Sequence, residues 1–248
     1  MRIALWSVAL LVALTHVSFA QSRPEPVPLQ TMSGTGFTGA PYSCKETTVK
    51  VQTLTDGTTT TETSVELLWR DAEGRTRRHI IRHADSGAEY GSIIITDPVA
   101  GIYLKWTTGD EATRRVVSIW PVTPAQRVTA PPPSGPAPLA TAGSTVSRPD
   151  FQREVLPSQD INGVFSEGTR TIRTIRLEGE IGNRVIEVMN ELWISPDLKI
   201  IVRHIMDDPR TGTSTTNVTD VVRGDPDPSL FQAPEGYQVV DHRTKNRQ

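Results

Sequence analysis

An alternation of apolar and polar side chains in residues 64–70 is the feature that most limits how this chain folds. One face of this segment is apolar and the other polar, with Val65, Leu67 and Trp69 set against Ser64, Glu66 and Arg70. A repeat of two residues is typical of a strand whose sheet has one buried face and one face in water. The segment therefore predicts a sheet protein, and no part of the chain shows the pattern of a long amphipathic helix.

Turn signals separate further segments of the same kind. Asp56-Gly57 is typical of a tight hairpin turn, because such turns need a residue with positive φ. The stretches 71–74 and 97–101 also combine Asp and Gly between apolar runs. Predicted strands follow one another closely within 47–122 and again within 164–222. The pattern predicts a mainly β fold, an antiparallel meander with few short helices.

Residues 1–20 have the pattern of a secretory signal peptide. One basic residue, Arg2, precedes an apolar run from Ile3 to Leu14, and Ser18 and Ala20 are the small residues before the expected cleavage point. The apolar run is shorter than the roughly 20 residues needed to span a bilayer. We therefore predict a protein that is periplasmic or extracellular and has no transmembrane segment.

Composition suggests how the remainder is organised. Residues 21–41 are rich in Pro, Gly, Ser and Thr and predict a flexible lead-in. A proline-rich stretch at 121–150 predicts an extended segment, either a loop within one domain or a linker between two. We favour a loop, which gives a single β domain over 42–241 and a disordered tail at 242–248. The single cysteine, Cys44, excludes an internal disulfide bond.

Charge and motifs exclude several functions. The 248-residue chain has 26 basic and 28 acidic residues, and its formal net charge of −2 gives no general attraction to nucleic acid. The sequence has no Gly-rich phosphate loop, Cys-x-x-Cys pair or Gly-x-Ser-x-Gly elbow. We predict no nucleic-acid partner, no cofactor and no catalytic residue. A hydrolase with an unrecognised site stays open as a remote alternative.

A basic zone with nearby tryptophans is the strongest binding signal. The predicted ligand-binding residues are Trp69, Trp106, Arg75, Arg77, Arg78 and Arg82. Arginines in such a zone bind phosphate groups or an acidic partner. They also serve as a charged face that discourages aggregation between sheets. The tryptophans equally suit core packing.

Two pairs of residues have spacings that suggest chemistry but fall in predicted strands. His79 and His83 would form a metal pair on a helix, but four residues along a strand span roughly 13 Å. Zinc–nitrogen bonds are about 2 Å long, so these imidazoles cannot share an ion. Glu187 and Glu191 are equally far apart along their strand, more than the about 5–9.5 Å between the carboxyl groups of glycosidases. We predict no metal site and no catalytic pair at these positions.

Three stretches resemble a family of uncharacterised secreted proteins from soil bacteria. They are LTDG at 54–57 with WRDAEGRTR at 69–77, IGN at 181–183 with ELWISPDL at 191–198, and DPDPSLF at 225–231 with PEGY at 234–237. A more distant similarity reaches the lipoprotein-carrier superfamily of LolA-like and RseB-like periplasmic proteins. That similarity implies an antiparallel curved sheet or half-barrel around an apolar cavity.

The export signal and these resemblances favour a non-catalytic binding protein for an apolar or amphipathic ligand. Such a ligand is a lipid or a lipoprotein segment. The alternative is a module that binds another envelope protein through its basic sheet face.

Overall fold

Thirteen strands make up most of the part of the chain that the structure describes. The computed structural model describes residues 38–84, 86–109, 115–122, 145–148, 150–177 and 184–243. The strands are β1 (Tyr42–Thr53), β2 (Thr59–Arg70), β3 (Thr76–His83), β4 (Glu89–Asp97), β5 (Ile102–Gly109), β6 (Val116–Pro121), β7 (Thr145–Arg148), β8 (Phe151–Ile161), β9 (Val164–Leu177), β10 (Arg184–Ser195), β11 (Ile200–Asp208), β12 (Gly212–Arg223) and β13 (Gln238–Asp241). A 3-10 helix at Pro228–Phe231 is the one helical element among the described residues.

All thirteen strands belong to one sheet made of two meanders. The order is β13-β6-β5-β4-β3-β2-β1-β12-β11-β10-β9-β8-β7, so β1 to β6 and β7 to β12 each follow chain order. The two meanders join where β1 pairs with β12. Every pairing is antiparallel except that of β13 with β6. The sheet is curved and not closed, which confirms the predicted fold class.

Turn chemistry explains where the hairpins reverse. Gly57 adopts φ of 85°, and the Asp56 carboxylate accepts a hydrogen bond of 2.9 Å from the Thr58 N–H. Gly74, in the β2–β3 turn, has φ of 84°. Both values lie in the left-handed region that favours glycine. The register of β1 with β2 and of β2 with β3 follows from these short turns.

Contacts between distant strands show how the sheet curves. Leu68 of β2 and Leu156 of β8 belong to one buried cluster although five strands separate β2 from β8 in the sheet. Asn162, in the β8–β9 turn, donates a hydrogen bond of 2.7 Å to the Val218 carbonyl of β12. Such contacts require the sheet to bend toward itself. This cluster is the larger of the two cores and includes the buried, unpaired Cys44.

The second core lies between β2–β6 and the C-terminal segment. We call residues 224–237 the strap. Leu230, Phe231 and Tyr237 of the strap pack on a sheet face that includes Ile95 and Trp106. Asp225 accepts a hydrogen bond of 2.8 Å from the Ala72 N–H and fixes the start of the strap to the β2–β3 turn. The strap thus covers one face of the first meander.

Several predictions concern residues outside the described ranges. The signal peptide at 1–20, most of the lead-in at 21–41 and residues 244–248 of the tail are among them. Of the stretch 121–150, residues 121–122, 145–148 and 150 are described, and β7 falls within it. Strands on both sides of this stretch share one sheet. The boundaries 42–241 of the single β domain stay a prediction. Within the described ranges, no helix is long and apolar enough to cross a membrane.

Candidate ligand-binding faces

Strand alternation divides the predicted binding residues between two faces of the first meander. Trp69 lies opposite Arg77, and the same register continues to Ile95, so these residues share a face. Trp106 lies opposite Ile93 on that face and belongs to the core under the strap. Arg78 and Arg82 point to the other face. The structure therefore brings Trp69, Arg77 and Trp106 together but does not form one continuous basic surface.

Arg77 is held inside the strap-covered face. Its guanidinium carbon lies 5.6 Å from the ring centroid of Trp69 and 5.6 Å from that of Trp106. Its Nη1 donates a hydrogen bond of 2.8 Å to the Leu230 carbonyl of the strap. Burial lowers the pKa of this guanidinium. These contacts favour a structural role in which Arg77 fastens the strap by cation–π contacts and a hydrogen bond.

Arg75 also fastens the strap. Its guanidinium lies 5.1 Å from the ring centroid of Phe231 and its Nε donates to Asp71 at 2.5 Å. The hydrogen bond that Arg75 donates to Asp71 and the charge of that carboxylate raise the pKa of Arg75. The Arg75 guanidinium is therefore engaged by Asp71 and Phe231 of the same chain.

The opposite face carries a cluster of two carboxylates and one arginine. Glu46 of β1 lies directly opposite Glu66 of β2. Arg78 donates from Nε at 3.0 Å and from Nη2 at 2.6 Å, both to the same oxygen of Glu66. Glu46 is only 6% exposed, and burial together with the charge of Glu66 raises its pKa to about 7. Arg78 is thus engaged by Glu66, whereas Arg82 is exposed.

An apolar stripe crosses this second face. It was not predicted from the sequence. Tyr103 lies directly opposite Trp120, and Ile94 is the diagonal neighbour of both Tyr103 and Ile80 across adjacent strands. Diagonal neighbours in a sheet lie about 7–8 Å apart, within reach of large side chains. We call Ile80, Ile94, Tyr103 and Trp120 the diagonal stripe. All four side chains are half-buried rather than covered by the strap.

Charged and aromatic groups border the diagonal stripe. Ile94 lies between Arg78 on one side and Lys105 on the other, and Lys105 is exposed. Trp120 stacks on Tyr103 with ring centroids 4.8 Å apart, and His242 stacks on the other side of Trp120 at 4.8 Å. Burial raises the pKa of Tyr103. The stripe therefore offers an apolar surface with an exposed cation, Lys105, beside its centre.

The pairs with suggestive spacing lie in strands, as predicted. His79 and His83 belong to β3, and Glu187 and Glu191 belong to β10. Glu191 accepts hydrogen bonds from the Trp193 indole at 2.7 Å and from Arg170. In the part of the chain that the structure describes, no three His, Cys, Asp or Glu side chains are grouped as metal ligands.

Comparison with known proteins gives distant structural matches. No protein-family model and no curated protein matches the chain. MucB is similar with a TM-score of 0.35 and 13% identity over 86% of this chain and 63% of MucB. The structure of MucB in complex with MucA(peri) has a TM-score of 0.34 and a sequence identity of 12%. The match covers 84% of this chain and 59% of the MucB chain. A LolA-superfamily protein from Nitrosomonas europaea has a TM-score of 0.30 and a sequence identity of 9%. The match covers 81% of this chain and 94% of that protein.

These structural neighbours include a LolA-superfamily protein, and the lipoprotein-carrier superfamily is the one that the sequence distantly resembles. The chain spans less than two thirds of the length of either MucB chain.

Proposed function

We propose that this protein is a non-catalytic binding protein of the bacterial periplasm or exterior. Its ligand is apolar or amphipathic, such as a lipid or a lipoprotein segment. The diagonal stripe is the observation that carries this proposal, because its four apolar or aromatic side chains are only half-buried on an ordered sheet face. The signal-peptide pattern of residues 1–20 supports export.

The stripe suits an elongated apolar group. Covering the remaining surface of each half-buried side chain contributes roughly 1 kcal/mol. Four such side chains together supply a few kcal/mol before the cost of immobilising the ligand. Lys105, exposed beside Ile94, provides a cation for a polar end of the ligand. These features favour an amphipathic molecule over a purely apolar one.

The alternative of a partner-binding basic face has weaker support. Arg75 binds Asp71, Arg77 binds the Leu230 carbonyl and Arg78 binds Glu66. Charges already paired within the chain attract a partner less than free ones, since the pair screens them. Arg82 alone among these arginines is exposed, so the basic zone is not a broad free surface.

Native mass spectrometry of the protein purified from its own cell envelope tests the proposal. We expect a bound molecule of defined mass that solvent extraction releases. The Ile94→Asn variant should lose this molecule, because a polar group is placed at the centre of the stripe. Val99→Asn is the matched control, since Val99 is 73% exposed and lies in the β4–β5 turn outside the stripe.

Two outcomes would contradict the proposal. One is a native mass equal to that of the protein alone, with no bound molecule, after purification from the envelope of intact cells. The other is a bound molecule that Ile94→Asn and Val99→Asn retain equally, because its site then lies away from the stripe.

A further inference from the structure

Two buried nitrogen atoms without hydrogen-bond partners lie together on the strap-covered face. They are Nε of Arg77 and Nε2 of His79, two of the three such side-chain atoms among the described residues. Buried polar atoms are almost always paired, so an unpaired one needs an explanation such as a bound molecule. Here two of them belong to residues two apart on β3, which point to the same face.

Arg77 and His79 are close enough along β3 for their side chains to reach one carboxylate. Residues two apart on a strand have Cα atoms roughly 7 Å apart. Each oxygen of a carboxylate accepts an N–H at about 2.8 Å, so one group can bridge both donors. The Arg77 guanidinium has no carboxylate within ion-pair distance in the described part of the chain, and its charge therefore favours an anionic acceptor.

The surroundings of His79 are apolar with one acidic neighbour. In the register of β2, β3 and β4, His79 lies between Leu67 and Ile93. Burial and the nearby Arg77 charge lower the pKa of His79, whereas Glu89 acts in the opposite direction. A neutral imidazole still donates from one nitrogen.

An apolar surface continues from this pair away from the strap. Val65 and Ile81 lie directly opposite each other one step further along the same face, and both are half-buried. A ligand whose carboxylate sits on Arg77 and His79 can therefore place an apolar body over Leu67, Val65 and Ile81. The strap contact of Arg77, its hydrogen bond to the Leu230 carbonyl, lies on the side of Arg77 away from Val65 and Ile81.

We propose that Arg77 and His79 form a binding site for a small carboxylate with an apolar tail. This site is on the opposite face from the diagonal stripe, so it is independent of the function proposed above. Its recognition combines a permanent cation, a neutral imidazole donor and an apolar surface. Neither acetate, which has no tail, nor an alcohol, which has no charge, meets all three.

Nitrogen-15 NMR of the purified protein tests this site. The side-chain Nε–H signal of Arg77 is assigned by its loss in Arg77→Lys, and the protein is titrated with octanoate, octanol or acetate. We expect a saturable shift of this signal with octanoate, and a shift with acetate or octanol only at concentrations at least tenfold higher. His79→Gln, which leaves the strap contact of Arg77 in place, should weaken octanoate binding about tenfold.

Controls separate this site from the stripe and from general charge effects. His83→Gln removes the next histidine of β3, which is exposed, and should leave octanoate binding unchanged. Ile94→Asn alters the stripe and should also leave the Arg77 shift unchanged. The proposal is overturned if octanoate gives no saturable shift, if octanol acts as strongly as octanoate, or if His79→Gln binds octanoate as wild type does.

Discussion

Replacing Glu46 by Gln should remove a pH-dependent loss of stability. Glu46 is buried opposite Glu66, and Arg78 makes its hydrogen bonds to Glu66. Burial is the main reason that the pKa of Glu46 rises from 4.5 to about 7. Between these values the folded protein holds a proton that the unfolded chain releases, so stability falls as the pH rises through this range. A shift from 4.5 to about 7 corresponds to about 3 kcal/mol.

The sign of the effect fixes the expected result for Glu46→Gln. Glutamine resembles the protonated carboxyl group and cannot ionise, so the variant does not acquire a buried charge at high pH. At pH 5 its free energy of unfolding should be close to that of the wild type. At pH 8 it should exceed the wild-type value by up to about 3 kcal/mol. Urea unfolding followed by circular dichroism at both pH values measures this difference.

Comparison with the wild type at each pH separates the contribution of Glu46 to stability from the contributions of other titrating groups. Burial lowers the pKa of His79 and of His204, and both groups make stability fall as the pH decreases below 6.5, which is the opposite direction. Glu62→Gln is the matched control, because Glu62 is an exposed carboxylate on β2 opposite Lys50. If Glu46→Gln shows the same change in stability between pH 5 and pH 8 as the wild type, the reasoning about the buried carboxylate is wrong.

Three further predictions concern packing and reactivity. Phe231→Ala should destabilise the protein by about 3–5 kcal/mol in urea unfolding, because it removes the buried side chain with which the strap packs on the sheet. Gly168→Ala should cost about 1–3 kcal/mol in the same assay, since the added Cβ would lie 2.6 Å from the Trp193 ring. Cys44 should react with a thiol reagent at pH 8 only after urea unfolding, because burial raises its pKa to about 12.

The sequence predicted several of the strands and turns because these depend on local chemistry. Alternation at 64–70 and the Asp56-Gly57 turn correspond to β2 and the β1–β2 hairpin. The β2–β3 turn was predicted for the same reason. Such features need only neighbouring residues, so they can be derived without knowledge of the register between strands.

The diagonal stripe could not be derived in this way. Ile80 and Ile94 come from different strands, and they become neighbours only through the pairing of β3 with β4. A change of register by one residue would place Ile94 on the other face. The predicted basic zone is divided between the two faces for a related reason, since Arg77 and Arg78 are adjacent in sequence and therefore point to opposite faces.

Parts of the three stretches that carry the predicted family resemblance are in contact at the β2–β3 hairpin. Arg70, fully buried, donates to the Leu198 carbonyl in the β10–β11 turn, and its guanidinium lies 4.7 Å from the ring centroid of Tyr42. In the same hairpin, Ala72 donates to Asp225 and Arg77 to the Leu230 carbonyl of the strap. Residues 69–77 thus connect the two other stretches, 191–198 and 225–237, to one turn.

These contacts explain why the shared stretches say little about the ligand. They join the second meander and the strap to the first meander, and a curved sheet without covering α-helices in its described part depends on such connections. The diagonal stripe lies outside all three stretches, on residues 80–120 of β3 to β6. Substitution of its four side chains would change the proposed ligand surface without touching the hairpin contacts. The residues of the proposed ligand surface are therefore separate from those that make the hairpin contacts.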